Sequence, residues 1–465
     1  MPVITEHSSD HYVTEFERLE RSRTGQAWFR PIRKAAIAHF ADQGFPTTRH
    51  EEWRYTNVST IARTPFRLAA PPVSMVTMRN IAPYLFGEAV GTRMVFVNGR
   101  FDADLSSLDG LPEGVTVTNL AALMATEPDG LRLHLARYAS FENNPFTALN
   151  TAFFEDGAFI YVPRGLVLEQ PIHVLYFSTG GLEPTVTHPR TLIVAEEAGQ
   201  VTVIESYASF APPWQEGDGG GEFQGEAGPG FFTNAVTEIA GGDGAVVDHY
   251  RLQRENDEAT HIGLVRTHQG GHGTIISHAL TLGGGLTRND VHAVLDGEGG
   301  DLDLNGLYIG HGHRHIDNHL RIEHAKPHCT SREFYKGILE DASHGVFTGR
   351  IIVHKDAQKT DAKQTNRNLL LSGEAQIDSK PQLEIFADDV KCTHGATIGQ
   401  IEESELFYLR SRGIPEADAR SLLVYAFASE SIARVKVGPL RAALERILFA
   451  GAAEDQAMRK EADAS

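Results

Sequence analysis

The sequence predicts a mainly β chain, a β-helix held between two helical ends. Three observations predict it. From about Asn144 to Ile398, short β-rich runs follow one another with Gly, Asn and Asp between them. That stretch of about 250 residues reads without a convincing helix, which is long for a sandwich and natural for a solenoid whose stacked coils bury one continuous core. Helical periodicity returns on both sides of it.

Residues 1–140 read as a mostly helical N-terminal domain. "TEFERLERS" and "WFRPIRKAAIAHFADQG" carry apolar residues at helical spacing (Phe29, Ile32, Ala36, Phe40), and Gly44 is the expected stop. "FPTTRHEEWRYTNVS" is a turn carrying Trp53 and Tyr55, "RMVFVNGRFD" a hairpin, and "NLAALMATEPDGLRLHLARYA" a further helical stretch. The β-helix is expected over 141–400, from "AFIYVPRGLVL" and "PIHVLYFS" to "GVFTGRIIVH". No strict hexapeptide period is visible, which predicts an irregular coil. The segment 212–230, "PPWQEGDGGGEFQGEAGPG", has too little apolar surface to order itself and reads as a flexible inserted loop. Residues 401–465 read as a helical C-terminal domain: Gly413 closes one helix, Pro415 opens the next with Glu416 and Asp418 at its positive end, and Pro439 opens a third. The tail "EDQAMRKEADAS" is expected to fray.

The 465 residues carry a formal net charge of −19. That balance repels phosphate backbones and predicts no nucleic-acid partner. No apolar run reaches the roughly 20 residues of a membrane span, and the first residues lack the pattern of an export signal. The two cysteines, Cys329 and Cys392, therefore read as reduced thiols in a cytoplasmic protein. A phosphate-binding G-x-x-x-x-G-K-[ST], G-x-S-x-G and H-E-x-x-H are all absent, so the chain is expected to be no enzyme by itself. Two cysteines also fall short of the four thiolates of a self-contained iron–sulfur cluster.

Residues that could carry chemistry lie in the second half. Fifteen of the 22 histidines fall between His249 and His394. In "IGHGHRHIDNHLRIEH" a strand would put His311, His313, His315, Asp317 and His319 on one face, either as metal ligands or as a polar row. Cys329, near His324 and His328, reads as a small buried hydrophobe. The polar ladder Lys355, Asp356, Gln358, Lys359, Asp361, Lys363, Gln364 and Asn366 reads as stacked hydrogen bonds, or as a groove for catalysis. In "ADDVKCTHGATIGQ" a strand would turn Cys392 and His394 to the same side, as two metal ligands, half of a nucleophile pair, or packing.

"EEWRYTNVS", "NTAFFEDGAFIYVPRG", "PRTLIVAEEAGQVTVIESY", "FFTNAVTEI", "LDGEGGDLDLNGLY", "HIDNH", "KPHCTSREFYKGIL", "DAQKTDAKQTNRNLLLS", "IDSKPQLEIFADDVKCTHGATIGQIEESELFYLRSRGI" and "AFASE" together resemble the SufB/SufD family of iron–sulfur cluster assembly scaffolds. The resemblance runs from about Glu51 to Glu430, and the two-cysteine count and "KCTHG" favour its SufD branch. It implies a right-handed parallel β-helix that pairs with the β-helix of SufB, and C-terminal helices, roughly Glu402 to Ala452, that dock the ATPase SufC. It also implies that Cys392 and His394 are iron or cluster ligands shared with SufB, with the cluster transient in the complex and none held by this chain alone. ATP binding by two SufC subunits would shift the β-helix pair. The residues leave open a β-helix carbohydrate lyase using the ladder at Lys355–Lys363, and a homodimeric metal-binding protein built on the histidine row. An exposed sheet edge would also let the isolated chain pair with itself.

Overall fold

The computed structural model describes residues 7–23, 26–71, 76–87, 90–126, 129–180, 183–210 and 230–448. From Ile172 onward the chain lays its strands alternately into two sheets. Strands two apart in sequence are therefore neighbours in space, and they pair in parallel through both sheets. Each coil adds one strand to each sheet, giving a β-solenoid of about seven turns. Asp301, Thr330, Asp361 and Lys391 stand in register, so the coils take 29, 31 and 30 residues (301 to 330, to 361, to 391). Elsewhere a coil takes as few as 26 residues (260 to 286) and as many as 46 (200 to 246), so the coil is irregular in length, as the missing hexapeptide period predicts.

Alternation along each strand sends every second side chain into the lumen. There Ile193, Val203, Val247, Val291, Leu304 and Phe347 belong to one continuous buried cluster. At some rungs a large lumen residue stands beside a glycine on the next coil. A Cβ at Gly306 would lie 2.1 Å from the ring of Tyr335, its register partner on the next coil. The hairpin read from "VNGR" joins Thr92–Val97 to Arg100–Phe101 through Asn98 and Gly99, both at positive φ as its tight turn requires. Thr92–Val97 and Thr116–Asn119 extend the two sheets, which thus draw strands from the stretch read as N-terminal and helical.

The N-terminal helices His7–Ser22 and Arg30–Gln43 form as predicted, and Gly44 (φ 67°) ends the second with its N–H on the Phe40 carbonyl. The expectation of no helix after Asn144 is wrong. Pro145–Phe153 is a helix capped by Asn144, whose side chain accepts from the N–H groups of Phe146 and Thr147. Nearly all its residues are buried, polar Thr147, Asn150 and Thr151 included, so it lacks the charged solvent face by which periodicity reveals a surface helix. It packs with Tyr12, Phe16, Ala36 and Phe40. A wholly buried Arg190–Glu238 ion pair, 2.6 Å, fixes this layer to the solenoid, because Glu238 also accepts the backbone N–H groups of Ala136, Tyr138 and Ala139.

At the other end, Glu403–Ser411 closes on Gly413 (φ 87°) and Pro415 precedes Glu416–Ile432. Ala428, Ile432, Val435, Leu440 and Leu444 then pack back onto the outer face of the ten-stranded sheet. Lys336 fastens them, donating to the Phe427 carbonyl at 2.9 Å and pairing with Glu430 at 2.7 Å. The segment read as a flexible loop, 212–230, lies outside the described residues except for Gly230, as does the tail after 448.

Candidate functional site at the end of the solenoid

Among the described residues the final strand of each sheet, Gln376–Ile385 and Lys391–Gly399, has a neighbour on one side only. Its other edge offers unpaired backbone donors and acceptors, a template for another strand. Apolar residues stand exposed beside it: Ile385, Phe386 (63 %) and Ile398 (54 %). The C-terminal helices leave this edge uncovered and pack along the side of the solenoid instead.

Cys392 and His394 stand on this last strand, paired with Ala362 and Gln364 of the preceding coil. Cys392 packs against the cluster of Ile351, Val353 and Ala362, which places it on the lumen side. His394, two residues on, shares that face. Cys392 is half-buried and His394 exposed. Burial pushes the Cys392 thiol up, only partly countered by the backbone of Ala362, so a metal arriving there must displace the thiol proton. One thiol and one imidazole leave at least two positions of a four-coordinate site to other donors. Among the described residues no three His, Cys, Asp or Glu side chains are gathered as a metal-ligand set.

Behind this rung the lumen is polar. Gln364 donates to Glu333 at 2.8 Å, and burial pushes the Glu333 carboxyl up to about 8, that hydrogen bond lowering it only in part. Beside them, Asn366 accepts from Asn368 at 2.7 Å and from Ser379, across the lumen, at 3.0 Å. The predicted polar ladder is therefore split. Gln364 and Asn366 point inward, Asp361 pairs with Arg332, and Lys355 and Asp356 sit exposed in a turn. No single groove gathers them.

The histidine row is likewise divided. The strand begins at His315, so His311 and His313 lie in the preceding turn. His315, Asp317 and His319 do share the outer face, where "EEWRYT" clamps down on them. Thr56 contacts His315 at 3.0 Å and donates to Asp317 at 2.6 Å, and Glu52 meets His319 at 2.5 Å. Arg288 bonds Asp317 and stacks 3.8 Å from the Trp53 ring. The hydrogen bond from His319 holds Glu52 down at about 2. This is a fastening for the N-terminal segment. Cys329 is fully buried in a turn and donates to the Gly297 carbonyl, as a packed thiol.

Glu333 was not singled out by sequence reasoning, although the coil length supplies the signal. "TSRE", "DAKQ" and "KCTH" open three successive strands of one sheet, and their fourth residues, Glu333, Gln364 and His394, form a column.

Fold and site together define a parallel β-solenoid protein with its candidate ligands at an unpaired end. Comparison with known proteins narrows that class. Residues 177–427 match the SUF system FeS cluster assembly SufBD core domain, and residues 6–174 the SufBD protein N-terminal region. An iron–sulfur cluster assembly SufBD family protein of Synechocystis is 35 % identical over 406 residues, 86 % of each chain. The iron–sulfur cluster assembly protein SufD of Escherichia coli is 31 % identical over 423 residues, 90 % of each chain, and that of Bacillus subtilis 25 % over 436. The chain belongs to the SufBD family of iron–sulfur cluster assembly proteins. Among the described residues no helix is long and apolar enough to cross a membrane.

Proposed function

We propose that this chain is a SufD-type, non-catalytic scaffold subunit acting in the cytoplasm. Its open end pairs with the β-helix of a SufB-type partner, and iron or a nascent cluster is the cargo of the joint. Cys392 and His394 supply this chain's share of the ligands, and the partner supplies the rest. The observation that carries the reading is the placement of both residues on the lumen face of an unpaired terminal strand, beside exposed Ile385, Phe386 and Ile398. Two donors are too few to hold a cluster, and an edge strand with apolar neighbours suits strand-to-strand pairing. The exposed Phe407 (72 %), Tyr408 and Leu422 on the C-terminal helices support docking of a SufC-type ATPase there. In the partner's absence, the same edge would let two copies of this chain pair.

The test is anaerobic co-expression with SufB- and SufC-type partners, wild type against His394→Ala. The expected result is equal complex by native mass, with iron, sulfide and visible absorbance lost in the variant. A variant complex with undiminished cluster would remove His394 as a ligand, and failure of the wild-type complex to form would remove the scaffold reading.

A further inference from the structure

The register that brings Cys392 and His394 to the lumen also builds a column behind them. His394 pairs with Gln364, and Gln364 with Glu333, on one face of three successive coils. Adjacent coils are about 4.8 Å apart, within reach of side-chain hydrogen bonding. Gln364 and Glu333 are each only 1 % exposed. The Gln364 nitrogen Nε2 is committed inward to Glu333 Oε2, and its carbonyl oxygen Oε1 is buried without a partner. A buried acceptor without a donor is unfavourable and rare in folded proteins. Opposite stands Gly349, where a Cβ would fall 2.0 Å from Gln364 Nε2, so the facing strand leaves room for this carboxamide. The register partner of Gln364 on the outward coil is His394, whose imidazole has an N–H to give.

We propose that Gln364 is the positioning residue of His394: its carbonyl oxygen accepts the N–H of one ring nitrogen and leaves the other ring nitrogen for the shared site. Glu333 holds the carboxamide from within, and Gly349 gives it space. The inference rests on the reading of His394 as a ligand. Ligating imidazoles take their tautomer from an acceptor on the second nitrogen, and loss of such an acceptor costs about 10- to 100-fold in metal affinity.

The test needs no metal. In the full-length chain labelled with ¹⁵N-histidine, the His394 tautomer is read from long-range ¹⁵N–¹H correlations, with His394→Asn supplying the assignment. Wild type is expected to show one predominant tautomer and Gln364→Met, of equal length but apolar, a mixture. Gln364→Glu, which keeps an acceptor, should restore the wild-type ratio, and Gly349→Ala, which displaces the carboxamide, should resemble Gln364→Met. A Gln364→Met chain with unchanged unfolding temperature and the wild-type ratio would overturn the proposal, as would Gln364→Glu matching Gln364→Met. Failure of the ligand reading is seen separately, as equal iron in wild-type and His394→Ala complexes.

Discussion

A carboxyl group buried beside a single amide donor holds its proton, and Glu333 is that case. Its pKa stands near 8 in the fold against an ordinary 4.5, so between those values the folded chain binds a proton that the unfolded chain has released. The stability this contributes is present below about pH 4.5 and is lost as pH rises through about 8. Replacing Glu333 with Gln removes the titration. Thermal unfolding from pH 5 to pH 8 should therefore show the variant gaining on wild type, by a few kcal/mol at the upper end. Parallel curves for the two proteins would show that Glu333 ionises freely in the fold. At this scale the sequence was partly legible. Spacing alone placed Cys392 and His394 on one side of a strand, but whether that side is lumen or surface depends on what Cys392 packs against. His315, Asp317 and His319 have the same alternation and face outward under Thr56 and Glu52.

The element most informative about the fold is the coil of two strands and two turns, stacked in strict register while its length varies from 26 to 46 residues (260 to 286, 200 to 246). Its stability depends on small residues where large ones stand on the next rung. Gly306→Ala would drive a Cβ into the Tyr335 ring, at a cost of about 1–3 kcal/mol or more. Urea unfolding should show a lowered midpoint with the m-value preserved, whereas an unchanged midpoint would mean that the lumen is loosely packed. Strands rich in β-branched and aromatic residues, such as Ile172–Ser178, declared themselves in the sequence. The polar strand Asp361–Leu370 was legible as a ladder of stacked hydrogen bonds, but not which of its residues turn inward: Gln364, Asn366 and Asn368 do, and they bond within the lumen. The helix Pro145–Phe153 was hidden because it is buried on nearly every side, its polar Thr147, Asn150 and Thr151 included.

Across the whole molecule the two ends of the solenoid are treated differently. One end extends into antiparallel strands and is flanked by the N-terminal helices, while the other is left bare by the described residues and carries the candidate ligands. The helical ends, the solenoid between them and an exposed sheet edge were legible from the order of patterns along the chain. Which edge stays open was not, since it depends on the C-terminal helices turning back along the solenoid's side through Lys336 and Ile432. The central claim is that a SufB-type partner completes this end. Amide hydrogen exchange on the chain alone and in complex with the SufB-type protein tests it most directly. Slowed exchange is expected to concentrate in Gln376–Ile385 and Lys391–Gly399, whose outer backbone groups gain strand partners. A complex that forms while these two strands exchange as they do in the free chain would contradict it.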